Sequence, residues 1–151
     1  MRIALGADHA GFELKEKIKQ YLRQKKLDIQ DEGTASTDSV DYPDFARKVG
    51  HDVSENRADL GILVCGSGIG MAISANKVPG VRAANVSSEY EAQMCREHNN
   101  ANVLALGSRI LKDDEAFKIV DTWLATEFAG GRHERRVEKI TAIEREGRNK
   151  I

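Results

Sequence analysis

The sequence is poor in cysteine, and it lacks any long apolar run, any surplus of one charge and any repeated or low-complexity segment. Its two cysteines, Cys65 and Cys95, are too few for a disulfide framework, and no Cys-x-x-Cys pair is present to hold zinc; both are expected as free thiols. No cluster of His, Cys and acidic residues has metal-ligand spacing, so no metal is expected. No stretch is apolar for long enough to span a bilayer, and Met1-Arg2-Ile3-Ala4-Leu5 begins no apolar leader region. The expectation is a cytoplasmic chain without a membrane partner. Basic and acidic residues number 23 and 24, a formal net charge of -1, which argues against nucleic acid as a main partner and makes any anion site a local one.

What is present is an ordinary globular balance, 40% hydrophobic and 31% charged, in 151 residues: enough for one domain, 1–151, around one substantial core. Aliphatic runs at Arg2–Ala7, Leu27–Asp31, Leu60–Cys65, Val81–Val86 and Val103–Leu106 read as five buried strands. Between them, apolar residues recur at helical spacing, as in Leu14, Ile18, Tyr21 and Leu22 and again in Ala116, Val120, Trp123 and Leu124. Pro43 suits the first turn of a helix over about 44–55, because its missing N–H is not needed there. Strand and helix in regular alternation predict an α/β fold with a mainly parallel sheet and helices on both faces. The charged segment 130–151 carries Val137, Ile140 and Ile143 and reads as a last helix laid on a partner surface.

The most informative stretch is Leu60-Gly61-Ile62-Leu63-Val64-Cys65-Gly66-Ser67-Gly68-Ile69-Gly70, a strand entering three alternating glycines and then a helix from about Met71 to Asn76. Such glycines turn successive amide N–H groups toward one point, and a following helix adds its positive end, making an anion nest. The spacing is neither the Gly-x-Gly-x-x-Gly of dinucleotide folds nor a nucleotide P-loop with Gly-Lys-Ser/Thr. A cysteine at the mouth of that nest is expected as thiolate, base or nucleophile; a small hydrophobe ending a strand is the plain alternative. Cys95 sits mid-helix and reads as packing. Asp8 and His9 follow the first strand, where the carboxyl ends of a parallel sheet gather ligands, although Asp8 could merely cap a helix. His98 and Asn99 close the helix that returns from the fourth strand, so His98 is expected at the opposite edge from Cys65 of its own chain. If catalytic, it serves a partner's crevice; otherwise Asn99 is a left-handed cap of a polar helix end. Arg132, Arg135 and Arg136 can share a helix face, with Arg109 after a strand end, and these guanidinium forks suit a phosphate or a solvated face paired with Glu134 and Glu138.

Gly6-Ala7-Asp8-His9-Ala10-Gly11-Phe12, Asp41-Tyr42-Pro43, Cys65-Gly66-Ser67-Gly68-Ile69-Gly70, His98-Asn99, Asn102-Val103-Leu104, Gly107-Ser108-Arg109 and Gly130-Gly131-Arg132-His133 together closely resemble the type B ribose-5-phosphate isomerase family, from Arg2 to about Ile143. The resemblance implies a Rossmann-like three-layer sandwich and a homodimer with shared active sites, sometimes paired into tetramers, with no cofactor or metal. It implies Cys65 as the base, Ser67 and the loop Gly66, Gly68, Ile69 and Gly70 around the enediolate, and Asp8, His98 and Tyr42 in ring opening and hydroxyl positioning. Asn99 belongs to the same substrate-binding set, and phosphate falls to His9, Arg132 and Arg136 with Arg109 close by. A branch of the family has glycine at the cysteine position and glutamate six residues later; Cys65 and Met71 put this chain in the cysteine branch. Asn100 departs from the aspartate common there.

Aldose–ketose isomerisation removes a proton beside a carbonyl and returns it to the neighbouring carbon, which asks for a base above the enediol plane and donors for its oxyanion. Ribose 5-phosphate is the expected substrate in the pentose phosphate pathway. Galactose 6-phosphate and allose 6-phosphate isomerases are sister specificities, and a flavodoxin-like module binding a phosphorylated ligand is the non-enzyme reading. A cysteine phosphatase needs arginine six residues after its cysteine, where this chain has Met71.

Overall fold

The computed structural model describes residues 1–149. Five strands, β1 (Arg2–Ala7), β2 (Asp28–Asp31), β3 (Leu60–Cys65), β4 (Ala83–Asn85) and β5 (Val103–Gly107), form one parallel sheet in the order β2-β1-β3-β5-β4. Among the described residues, six helices complete the fold: α1 (Phe12–Gln24), α2 (Tyr42–Ser54), α3 (Ile69–Ala75), α4 (Glu89–Glu97), α5 (Asp113–Ala125) and α6 (Arg132–Asn149). The result is the α/β fold expected from the alternation of strand and helix, and the Rossmann-like sandwich that the family resemblance implies.

Period-two alternation along the strands divides the core in two. Ile3, Leu5, Ile62, Val64, Leu104 and Leu106 meet α1, α4 and α5 through Leu14, Ile18, Ala92, Ile119 and Trp123. Ala4, Leu63, Cys65, Val103 and Ala105 meet α2 and α3 through Ala46, Val49, Met71 and Ala75. The parity of β3 therefore aims Cys65 at the α3 side. Because α1 follows β1 on one face and α3 follows β3 on the other, their entry loops part and leave a crevice beyond the carboxyl ends of β1 and β3.

Element boundaries differ most from those expected in three places. β4 is shorter than Val81–Val86 because it is an edge strand with one neighbour, and the amide of Arg82 goes to Asn102 Oδ1 (2.7 Å) instead of a second ladder. The helix after the glycines begins at Ile69 rather than Met71, since Gly68 alone, at φ +83°, completes the turn. The α2 helix starts at Tyr42, with Pro43 inside its first turn. The amphipathic α6 buries none of its described residues, and Ile140 and Ile143 lie exposed; positions 150 and 151 of the segment read as 130–151 fall outside the described residues. No described helix is long and apolar enough to cross a membrane.

Candidate active site

Three chain crossings build the crevice. The amide of Asp8 donates to the carbonyl of Val64 (3.2 Å), and those of Ser108 and Arg109 donate to the carbonyls of Cys65 (2.9 Å) and Gly66 (3.0 Å), so the loops after β1 and β5 are stitched to the end of β3. Gly11 is required at the first crossing: a β carbon there would stand 2.2 Å from the Val64 carbonyl oxygen. Ser108 Oγ donates to the carbonyl of Ala10 (2.8 Å), closing the ring of contacts.

At the floor lies the buried Cys65, whose Sγ accepts the amide of Gly68 at 3.1 Å. An amide hydrogen of the glycine loop is thus aimed at the sulfur. Ser67 Oγ accepts the amide of Ile69 (3.2 Å), which leaves its O–H free to donate outward. Asn85, at the end of β4, supports this loop from behind: its Nδ2 donates to the carbonyls of Ser67 (3.2 Å) and Ala105 (3.4 Å). Nothing in the sequence singled Asn85 out, because its role depends on β4 lying beside β5. The other cysteine contrasts sharply, since burial pushes the Cys95 thiol up to about 11 and its Sγ donates to the carbonyl of Ala92 (3.3 Å).

On the walls, Asp8 Oδ1 accepts the amide of Gly11 at 3.0 Å, so this carboxylate both braces the entry to α1 and lines the crevice. His9 Nδ1 accepts the amide of Val40 (3.2 Å), which leaves the ring hydrogen on Nε2 when the imidazole is neutral. The ring of Tyr42 lies against Gly70, its Cε2 and Cζ 2.6 Å from where a β carbon would be, and Arg109 Nη1 lies 3.1 Å from the corresponding point at Gly66. Asp8, His9, Tyr42, Cys65, Gly66, Ser67, Ile69, Gly70 and Arg109 line one open cavity of about 570 Å³, and Gly68 is not part of that lining.

The remaining expected residues gather elsewhere. His98, Asn99, Arg132, His133 and Arg136 line a second cavity of about 270 Å³ that shares no lining residue with the first and contains no acidic side chain. The His98 and His133 rings stack at 4.2 Å and 11°. Burial together with the positive charges of His98, Arg132 and Arg136 holds the His133 imidazole below its usual value. The left-handed residue after α4 is Asn100 (φ 48°) and not Asn99, because the carbonyl and side chain of Asn100 turn inward to Arg82 and Arg96. Among the described residues no three His, Cys, Asp or Glu side chains come together as a metal would require. A larger open depression of about 730 Å³ beside α2, lined by Glu32, Asp44, Arg47, Lys48, His51 and others, mixes both charges and presents no thiol or hydroxyl.

Residues 3–140 match the profile of the Ribose/Galactose Isomerase family. The chain belongs to that family. It is 48% identical to ribose-5-phosphate isomerase B of Escherichia coli over 95% of this chain and 96% of that one. Its fold superposes on ribose-5-phosphate isomerase B of Clostridium thermocellum with a TM-score of 0.96 at 51% identity, covering 97% of this chain and 99% of the other. The Mycoplasma genitalium enzyme, whose crystal structure holds bound ribulose-5-phosphate, superposes with a TM-score of 0.93 at 48% identity over 96% and 97% of the two chains. In this chain the glycine loop and Cys65 line one cavity, and His98, His133, Arg132 and Arg136 line another.

Proposed function

We propose that this chain is an aldose–ketose isomerase that interconverts ribose 5-phosphate and ribulose 5-phosphate, a step of the pentose phosphate pathway, in the cytoplasm. The observation that carries the reading is Cys65 at the floor of the crevice, with the Gly68 amide on its sulfur and the Ser67 hydroxyl free beside it. As thiolate, Cys65 takes the proton from C2 of the open-chain aldose and the electrons move onto the carbonyl oxygen. The Ser67 hydroxyl and the amides of the loop 66–70 that are not already bonded to Cys65 and Ser67 hold the resulting enediolate oxygen. The proton of the C2 hydroxyl passes to the oxygen on C1 and the Cys65 thiol returns its own proton to C1, giving the ketose and restoring the thiolate. Every atom balances without an added reductant or oxidant.

Furanose opening needs an acceptor for the anomeric hydroxyl proton and a donor to the ring oxygen; Asp8 and His98 fill these roles, and Tyr42 and Asn99 position hydroxyl groups. Phosphate is taken by the His9 Nε2–H and by Arg109, Arg132 and Arg136. Since His98 and the two C-terminal arginines line a cavity apart from Cys65, a working site joins the first cavity of one subunit to the second cavity of another across a two-fold axis. The protein works as a homodimer, each chain one domain, with the segment 130–151 at the subunit interface.

Proton NMR of the purified protein with ribose 5-phosphate in heavy water containing a chelator tests the reaction. Ribulose 5-phosphate forming with deuterium in the sugar is expected. Inertness toward ribose 5-phosphate with turnover of a hexose 6-phosphate would transfer the chain to a galactose or allose specificity, and inertness toward both would leave a binding module.

A further inference from the structure

Arg96 lies in the last turn of α4, two residues before His98, and lines neither cavity. Its guanidinium is half-buried, and no salt bridge among the described residues includes it. Its hydrogens go to neutral oxygen atoms: Nη1 donates to the carbonyl of Ala101 (2.6 Å) and to Asn100 Oδ1 (3.3 Å), and Nε donates to the carbonyl of Thr126 (3.2 Å). The group also lies 5.8 Å from the ring centre of Trp123. Drawing a cation out of water without an anion beside it is costly, and an apolar side chain would fill the space more cheaply. What the guanidinium provides is shape, since its planar fork reaches several acceptors at fixed angles.

Those acceptors belong to two segments. Asn100 and Ala101 end the turn that carries His98 and Asn99, while Thr126 begins the connection from α5 into α6, which carries Arg132, His133 and Arg136. Besides the stacked rings, the amide of Ala129 donating to the carbonyl of Glu97 (3.1 Å) ties the same two segments. We propose that Arg96 is a positioning residue for the second half of the active site: it clamps the turn after α4 to the entry of α6 and so sets the His98 ring and Arg132 relative to each other. The inference rests on the roles given to His98 and Arg132 above.

Two variants of the full chain test it, Arg96→Lys, which keeps the charge and stem, and Arg96→Gln, which keeps a neutral planar donor. Three readouts are needed: the imidazole ring signals of His9, His98 and His133 by long-range proton–nitrogen NMR, kcat and KM for ribose 5-phosphate, and the rate of Cys65 alkylation by iodoacetamide. The expected result is displaced His98 and His133 signals in both variants with His9 unmoved and Cys65 alkylation within about twofold of wild type. The same variants lose about tenfold or more in kcat/KM. Unmoved His98 and His133 rings, a wild-type kcat/KM, or an equal disturbance at His9 and Cys65 would overturn the proposal, and failure of both variants to fold would replace it with a purely structural role. The ring signals are read without substrate, so a wild-type protein inert toward sugar phosphates would sink the isomerase reading and leave the clamp to be judged by NMR alone.

Discussion

The two cavities are built in opposite ways. Around Cys65, three loops leave the carboxyl edge of the sheet and are pinned to one another by backbone bonds, with glycines where the chains touch. Around His98, the groups stand on the end of one helix and the beginning of another, α6, whose described residues include none that is buried. The first region has its geometry dictated by the core beneath it. The second is held by side chains such as Arg96 and leaves apolar Ile140 and Ile143 facing outward. On the proposed reading, this division would place the base on the rigid part, where small errors cost most, and His98, Arg132 and Arg136 on a part that a second subunit completes.

The strongest way to break the comparison is at the base. Cys65→Ala is expected to lower kcat by about 10³-fold or more while sugar-phosphate affinity stays within about a few-fold, read by exchange of the transferable proton; retained exchange would remove Cys65 from the chemistry. Complementation comes next. Subunits carrying Cys65→Ala and subunits carrying His98→Ala are expected to be crippled alone, yet unfolding and refolding them together in equal amounts restores about a quarter of wild-type activity. Half of the dimers are mixed, and each of these has one intact site of two. No recovery on mixing would put both residues in one subunit's site.

Glycine substitution separates the regions by packing. Gly68→Ala meets Asn85 Nδ2 at 2.2 Å and the Leu106 backbone at 2.9 Å at a positive φ, and thermal unfolding should report a loss of about 2–3 kcal/mol. Gly131→Ala has φ +57° but nothing within 4 Å, and the loss there should be about 1 kcal/mol. Equal losses would contradict the contrast in packing. The smallest expected effect is one of pH. With the folded-state value of His133 below its ordinary 6.5, the unfolded chain binds more protons in the window beneath 6.5, so this group's contribution to stability is whole above that pH and declines as the pH falls through the window. An NMR titration of His133 with its midpoint above 6.5 would reverse the sign.

Much of this was legible in the residues before any coordinates. Aliphatic runs in β1, β3 and β5 identified the core strands, and Gly-x-Gly-x-Gly after Cys65 marked the nest, because runs of aliphatic residues and glycine content are local properties. The placement of His98 away from the Cys65 of its own chain also followed from strand-and-helix direction alone. Asn85 escaped notice because its two acceptors, Ser67 and Ala105, are brought to it by sheet order. The bond from Val40 to His9 escaped for a similar reason, spanning 31 positions through a loop with no periodic pattern.

By itself, then, the sequence determined the parallel α/β architecture, the family and the identity of the groups able to do chemistry, since each follows from local periodicity, glycine placement and ordered motifs. Only the tertiary structure decided which nitrogen of His9 faces the crevice, what braces the glycine loop, that the expected site residues divide between two cavities, and that Arg96 ties the elements of the second together. Those are contacts between segments far apart in the chain, and their geometry exists only once the sheet order and the helix packing have brought the partners within hydrogen-bonding distance.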